Sequence, residues 1–142
     1  MPFEEKNQWA YGAITVVAFT VYASVILSRA QDTPLTDVPY VWPMLATISA
    51  AILAAILASI AIAIASPKEA GKKDERDKEI NRRGEYIGQG FVVVGAVGAL
   101  LLAMLEADYF WIANVVYLCF VLSAVVSTTA KLVAYRRGFV GW

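Results

Sequence analysis

The chain has 142 residues, 59% of them hydrophobic, with 12 basic side chains, 12 acidic side chains and no histidine. Balanced charge excludes a general attraction to nucleic acid, and the lack of histidine removes the usual haem ligand and the usual general base near neutral pH. The single cysteine, Cys119, excludes an intrachain disulfide and a thiolate metal cluster. We therefore expect one small domain that uses no cofactor, no metal and no nucleic acid.

Four long apolar stretches indicate that the solvent of this protein is lipid. They cover residues 9–30, 41–65, 86–106 and 109–133. Each is long enough, at about 1.5 Å per residue, to cross or nearly cross a hydrocarbon core of about 30 Å. Only Ala107 and Asp108 separate the last two, which forces them into an antiparallel hairpin. The sequence predicts an all-α integral membrane domain over residues 1–142, with four transmembrane helices arranged as two antiparallel hairpins.

The basic residues predict the topology. The polar segment between the second and third stretches, residues 66–85, carries seven of them: Lys68, Lys72, Lys73, Arg76, Lys78, Arg82 and Arg83. The two opposite loops carry mainly acidic residues, such as Asp37 and Asp108. Because basic residues stay on the cytoplasmic side of a membrane, we expect both termini and the central segment in the cytoplasm, an N-in/C-in arrangement. The expected location is a prokaryotic inner membrane.

Rows of small residues at helical spacing predict close helix packing. The rows are Ala46, Ala50, Ala54 and Ala58 in the second stretch, and Gly95, Ala99 and Ala103 in the third. The alanine row has two interpretations. It is either the most buried helix of the monomer, which we favour, or a functional face, which is the wall of a cavity or the face of a homo-oligomer, with a dimer as the favoured form.

Polar residues inside the stretches are mostly hydroxyls, which can bond to their own helix four residues back. Asn114 is expected to bond across helices instead. No ionisable side chain lies at mid-depth, so we expect no buried charge outside the central segment, which is the default candidate site.

The central segment is the candidate site. The pairs Asp74–Lys78 and Glu79–Arg83, with acid before base at a spacing of four, predict a charged juxtamembrane helix over residues 74–83. A narrow apolar stripe, Ile80, Gly84 and Ile87, is expected to dock this helix on the bundle. The candidate binding or partner residues are Asp74, Glu75, Arg76, Asp77, Asn81, Arg82 and Arg83.

Three interpretations of this helix stay open. It is a solvated helix held by its own ion pairs, or a docking face for a cytoplasmic or membrane protein or a second subunit. Alternatively, Asp74 and Asp77 hold a magnesium ion while Arg82 and Arg83 meet a phosphate or a lipid head group. The third interpretation lacks a second acidic cluster, so we assign no catalytic or metal-binding residue.

The segment at residues 74–83, D-E-R-D-x-x-I-x-x-R, is followed by Tyr86-Ile87-Gly88. This pattern resembles the signature of a family of uncharacterised small prokaryotic multi-span membrane proteins, which place it directly before a transmembrane span. The resemblance implies that the motif is the defining polar feature of the chain. It implies no reaction.

The sequence thus favours a non-enzymatic membrane subunit or regulator that contacts lipid and a protein partner and forms homo-oligomers. The first alternative is a transporter or channel for a small or apolar solute, which the hydroxyl-rich helix faces motivate. The second alternative is a membrane enzyme that acts on lipid phosphates.

Overall fold

The computed structural model describes residues 3–69 and 74–137, and nearly all of them lie in four long α-helices. The helices are α1 (Phe3–Arg29), α2 (Val41–Ala65), α3 (Glu75–Met104) and α4 (Tyr109–Arg137). A short 3-10 turn, Leu35–Asp37, lies between α1 and α2, and no strand occurs in the described ranges. All four helices are long and apolar enough to cross a membrane. The prediction of an all-helical chain with four candidate membrane spans is confirmed.

Helix α3 joins the charged segment to the third apolar stretch without a break. The charged segment is therefore the first turns of α3 rather than a separate juxtamembrane helix. Asp74 begins the helix through a capping box: the backbone N–H of Asp77 donates to Asp74 Oδ1 at 2.7 Å, and that of Asp74 donates to Asp77 Oδ2 at 3.2 Å. Such a cap satisfies two backbone donors that a helix start leaves open. Lys72 and Lys73, on which the topology prediction partly rests, lie outside the described residues.

The short connection after α3 has its own local cause. Glu106 adopts a left-handed backbone conformation with φ 58°, which turns the chain directly after the helix. Asp108 Oδ1 then accepts a hydrogen bond from the backbone N–H of Phe110 at 2.9 Å, at the start of α4. This turn lets α4 follow α3 so closely that the two helices pack along much of their length.

Helices α1 and α4 form the centre of the arrangement. Helix α1 packs against α2 and α4, while α3 packs mainly against α4. Glycines allow α3 to approach α4 closely, because a Cβ atom would collide at most of these positions. Gly84 faces Lys131, Gly88 faces Ser123 and Ser127, Gly95 faces Cys119, and Gly98 faces Val115.

The interpretation of α2 as the most buried helix is wrong. None of its residues is buried, and Ala46 and Ala50 are exposed, while Ala54 and Ala58 are half-buried. Small residues at a spacing of four specify a face that allows close approach. That pattern does not specify whether a helix of the same chain packs there. In this monomer the alanine row is left largely uncovered.

In the third stretch, the small-residue row is only partly in contact with α4. Gly95 is buried against Cys119, Ala99 is half-buried and Ala103 is exposed. The face that meets α4 runs instead through Ile80, Gly84 and Gly88, all of them buried. The expected docking stripe is thus correct at Ile80 and Gly84. It is wrong at Ile87, which is 42% exposed.

An aromatic cluster fills the space between the central helices. The rings of Phe19, Tyr22 and Tyr117 lie within 4.9–6.3 Å of one another, centroid to centroid. The Tyr22 hydroxyl donates to Asn114 Oδ1, which links α1 to α4. The predicted cross-helix bond of Asn114 is therefore confirmed. Hydroxyls such as Thr15 and Thr129 donate to their own helix four residues back, also as expected.

Candidate functional site

Charged and polar side chains from three helices meet at one end of the structure, which we call the polar end. Its residues are Glu5, Arg76, Asp77, Glu85, Lys131, Tyr135 and Arg136. They belong to the first turns of α1, the first turns of α3 and the last turns of α4. This end is where the structure places the candidate segment.

The start of α3 is fastened to the end of α4. The Tyr135 hydroxyl donates to Asp77 Oδ1 at 2.8 Å. The Arg76 guanidinium donates to the carbonyl oxygens of Ala134 and Tyr135 at 3.3 and 3.1 Å and lies 5.6 Å from the centre of the Tyr135 ring. A cation at the last carbonyls of a helix is favourable, since they carry its negative dipole end. Arg76 and Asp77 therefore join α3 to α4, while Arg76 keeps an exposed surface.

Lys131 is a buried cation in the packing of α3 against α4. It is 4% exposed, and its Nζ lies 2.5 Å from Glu85 Oε1. The Glu85 side chain is 66% exposed. Gly84 makes room for the lysine stem, because a Cβ there would collide with Lys131 Cγ. Lys131 thus buries its methylenes along α3 and carries its charge out to a solvated carboxylate.

Glu5 forms a second pair of the same kind. It is 3% exposed, and its Oε1 accepts a hydrogen bond from Arg136 Nε at 2.6 Å. The Arg136 side chain is 58% exposed. The expected absence of buried charges outside the central segment is therefore wrong, because α1 buries Glu5 and α4 buries Lys131. No local pattern could reveal these pairs, since they depend on the register between helices far apart in sequence.

The other side of α3 is exposed. Glu75, Lys78, Asn81 and Arg82 point away from α4, and we call these four residues the outer face. A groove of about 610 Å³ continues this face toward the apolar part of α3. It is lined by Asn81, Arg82, Glu85, Tyr86, Gln89, Val92 and Ser123.

Ion pairs within α3 lie on or beside the outer face. The predicted pair of Glu79 with Arg83 is present at 2.6 Å, and Arg82 binds the same carboxylate at 2.7 Å. Lys78 pairs with Glu75 at 3.4 Å rather than with the predicted Asp74, which is occupied by the capping box. Such exposed pairs contribute only a few tenths of a kcal/mol each. The outer face is therefore not needed for the stability of the fold.

The arrangement required for a magnesium–phosphate site is not assembled. Asp74 and Asp77 lie together but bind each other's backbone and Tyr135, while Arg82 and Arg83 hold Glu79. Within residues 3–69 and 74–137, no three side chains of the types that bind metals are grouped closely enough to hold an ion.

A comparison with protein-family models, curated proteins and solved structures finds no significant match. The resemblance of residues 74–83 to a family signature stays a prediction.

Replacement of Tyr135 by phenylalanine is expected to lower the free energy of unfolding by about 1 kcal/mol, because Asp77 loses a hydrogen-bond donor between two helices. Thermal unfolding in detergent measures the change. Tyr86→Phe is the matched control, since Tyr86 is 78% exposed and lies outside the α3–α4 contact. Equal destabilisation by the two variants would show that the bond to Asp77 contributes nothing.

Proposed function

We propose that this chain is a non-enzymatic subunit or regulator of a prokaryotic inner membrane, which binds a protein partner through the outer face of α3. One observation carries the proposal. Helix α3 continues unbroken from a charged end into an apolar stretch, with one side fastened to α4 and the opposite side exposed.

The contacts of Arg76 and Asp77 with α4 hold the backbone of the outer face in a fixed position before a partner binds. A surface whose backbone is already fixed loses little conformational entropy when a partner docks. Glu75, Lys78 and Arg82 present both signs of charge on this fixed helix. Charges so arranged favour selection of one partner and one orientation, since wrong partners place like charges together.

We also propose two antiparallel hairpins with both termini in the cytoplasm. The contacts support the hairpins, because residue numbers rise along α3 from Gly84 to Gly98 as they fall along α4 from Lys131 to Val115. The Lys6 ammonium donates to Ser66 Oγ at 3.2 Å, which brings the start of α1 to the end of α2 at the same side. The excess of basic residues there supports a cytoplasmic position. A reporter fused at Asp37 that proved cytoplasmic would overturn this topology.

A homodimer through α2 is part of the proposal. Its support is the exposed alanine row at Ala46 and Ala50 on a helix with no buried residue. Small side chains at this spacing let two helix backbones approach closely in lipid. Cross-linking in lipid that gave only monomer would contradict it.

Photo-cross-linking in cells tests the partner face. A photoreactive amino acid at Lys78 or Arg82 is expected to give a discrete protein adduct. The same residue at Lys68, a basic and exposed position in the turn after α2, is the matched control. The charge reversal Arg82→Glu, introduced beside the probe at Lys78, is expected to abolish the adduct without changing thermal stability. Equal adducts at positions 68 and 78, or none at 78 and 82, would overturn the proposal.

A second candidate function, transport of a small or apolar solute, is favoured by one observation. An open cleft of about 800 Å³ lies between α1, α2 and α4, and its lining is apolar. A transporter should show solute-dependent thermal stabilisation. The third candidate, an enzyme acting on lipid phosphates, receives no support from the separated positions of Asp77 and Arg82.

A further inference from the structure

The groove beside the first turns of α3 changes its chemistry along its length. Arg82 and Glu85 line its charged end. Gln89 of α3 and Ser123 of α4 follow with uncharged polar side chains, and Val92 lines the apolar end. Charge, neutral hydrogen-bonding groups and apolar surface therefore follow one another in the order found in a phospholipid.

The groove also has the depth of a lipid head group. Tyr86, an exposed aromatic residue at the start of the third apolar stretch, marks the level of the membrane interface. From Arg82 to Gln89 the helix rises about 10 Å, at about 1.5 Å per residue. The head-group region on each side of a bilayer is about 5–8 Å thick. The groove thus covers that region, and its Val92 end reaches the hydrocarbon.

Gln89 and Ser123 have unfilled hydrogen-bonding capacity. Neither side chain forms a hydrogen bond with another residue of the ranges 3–69 and 74–137. Both are within reach of a ligand, since Gln89 is exposed and Ser123 is half-buried at the wall of the groove. A polar group inside a membrane has little water to bond and normally finds another partner. The amide N–H and hydroxyl groups are donors that suit the ester oxygens of a lipid.

Arg82 and Glu85 also keep free hydrogen-bonding capacity at the charged end. The Arg82 guanidinium, which has five N–H donors, binds Glu79 through one of its nitrogens and is mostly exposed. Glu85 binds Lys131 through Oε1 alone, and its side chain is also mostly exposed. The groove therefore offers one cationic and one anionic group, three residues apart on the same helix.

We propose that this groove binds a phospholipid with an ethanolamine head group. The phosphate accepts hydrogen bonds from Arg82, and the primary ammonium donates to Glu85. Gln89 and Ser123 donate to the ester oxygens. A choline head group has no N–H to donate, and an anionic head group would bring negative charge to Glu85 without an ammonium. The lipid site goes beyond the proposed partner binding, although Arg82 belongs to both surfaces.

Native mass spectrometry of the full chain tests the head-group preference. The protein is mixed in detergent with equal amounts of ethanolamine, choline and glycerol phospholipids that carry identical acyl chains. We expect the ethanolamine adduct to exceed the choline adduct about tenfold, the effect of one hydrogen bond to a charged group. Equal adducts of the three lipids would overturn the proposal. A preference for the glycerol phospholipid would do the same, because it would show a site for anionic head groups.

Glu85→Gln tests the contact with the ammonium. We expect the ratio of ethanolamine to choline adduct to fall toward one, because a neutral amide attracts the ammonium less than a carboxylate does. Partial unfolding lowers both adducts and leaves their ratio unchanged, so this measurement is separate from the role of Glu85 beside Lys131. A preference that persists in this variant would overturn the proposal.

Gln89→Leu tests the contact with the ester oxygens. It is expected to lower the ethanolamine and choline adducts alike, about fivefold, because both lipids carry these oxygens. Thr129→Val is the matched control, since Thr129 is an exposed polar residue outside the groove that bonds to its own helix. Unchanged adducts in Gln89→Leu would contradict the assignment.

Photo-cross-linking in cells distinguishes a lipid from a protein in the groove. A photoreactive amino acid at position 89 is expected to capture lipid, and a protein adduct there would overturn the proposal. Gln89→Leu should leave the protein adduct formed at position 78 unchanged. Lipid binding and partner binding therefore fail or succeed separately.

Discussion

Replacement of Gly88 by leucine is expected to destabilise the protein by about 3 kcal/mol by forcing α3 away from α4. A Cβ atom at residue 88 would lie 2.8 Å from the backbone carbonyl oxygen of Ser123 and 2.9 Å from Ser127 Cβ. The carbonyl belongs to a helix backbone and cannot rotate aside, so the added side chain must displace α4. Overpacking of a close contact costs about 1–3 kcal/mol, and the displacement also removes contacts further along the helix pair.

The matched control is Gly90→Leu, because no atom lies within 4 Å of a Cβ at that position. Leucine is a better helix former than glycine by nearly 1 kcal/mol. The control is therefore expected to be neutral or slightly stabilising, in contrast to the destabilisation expected for Gly88→Leu.

Cys119 reports on the same helix pair. It is the only cysteine of the chain, it is half-buried, and its Cβ lies 2.6 Å from the position of a Cβ at Gly95. The rate at which a thiol-specific dye labels Cys119 during heating follows the separation of α3 from α4. Labelling at a lower temperature in Gly88→Leu alone is the expected result. Equal behaviour of the variants at residues 88 and 90 would contradict the close packing at Gly88.

The helices could be predicted from the sequence because they are a local property in lipid. Each span must satisfy its own backbone hydrogen bonds, so apolar length alone indicates a helix. Helix partners are not local. The alanine row of α2 and the glycines of α3 carry the same kind of pattern, yet Gly88 is buried against α4 whereas Ala50 is exposed. Nothing within either stretch distinguishes the two cases.

The candidate site could be predicted only in part, because helical spacing is a local property whereas the register between two helices is not. Helical spacing correctly places Ile80 and Gly84 toward the bundle and Glu75 and Arg82 away from it. Helical spacing alone does not predict the hydrogen bond of Asp77 with Tyr135, because that bond depends on the register of α3 on α4. That register decides which charged side chains bind another helix and which are exposed.

Removal of Glu85 is expected to cost more than removal of Lys131, although the glutamate is the more exposed member of the pair. Glu85→Leu leaves the Lys131 side chain, which is 5% exposed, with no carboxylate at its ammonium. An unpaired buried charge is costly, and since the ammonium lies near solvent we expect a loss of about 1–3 kcal/mol. Lys131→Met keeps an unbranched side chain beside Gly84 and leaves Glu85 solvated, so its cost should stay below about 0.5 kcal/mol.

A double-mutant cycle separates the interaction energy of the pair from the contribution of each residue, because the stability changes caused by substitutions at residues in contact do not add. The double variant Glu85→Leu/Lys131→Met is expected to be more stable than Glu85→Leu alone, since the second change removes the unpaired charge. Thermal unfolding of the four proteins in one detergent measures the cycle. If Lys131→Met costs as much as Glu85→Leu, the ammonium contributes stability of its own, and Glu85 does not serve mainly to neutralise it. In the pair of Glu5 with Arg136 the glutamate is buried and the arginine is exposed. Arg136→Leu should therefore be the costlier change there, because it leaves the buried carboxylate without its partner.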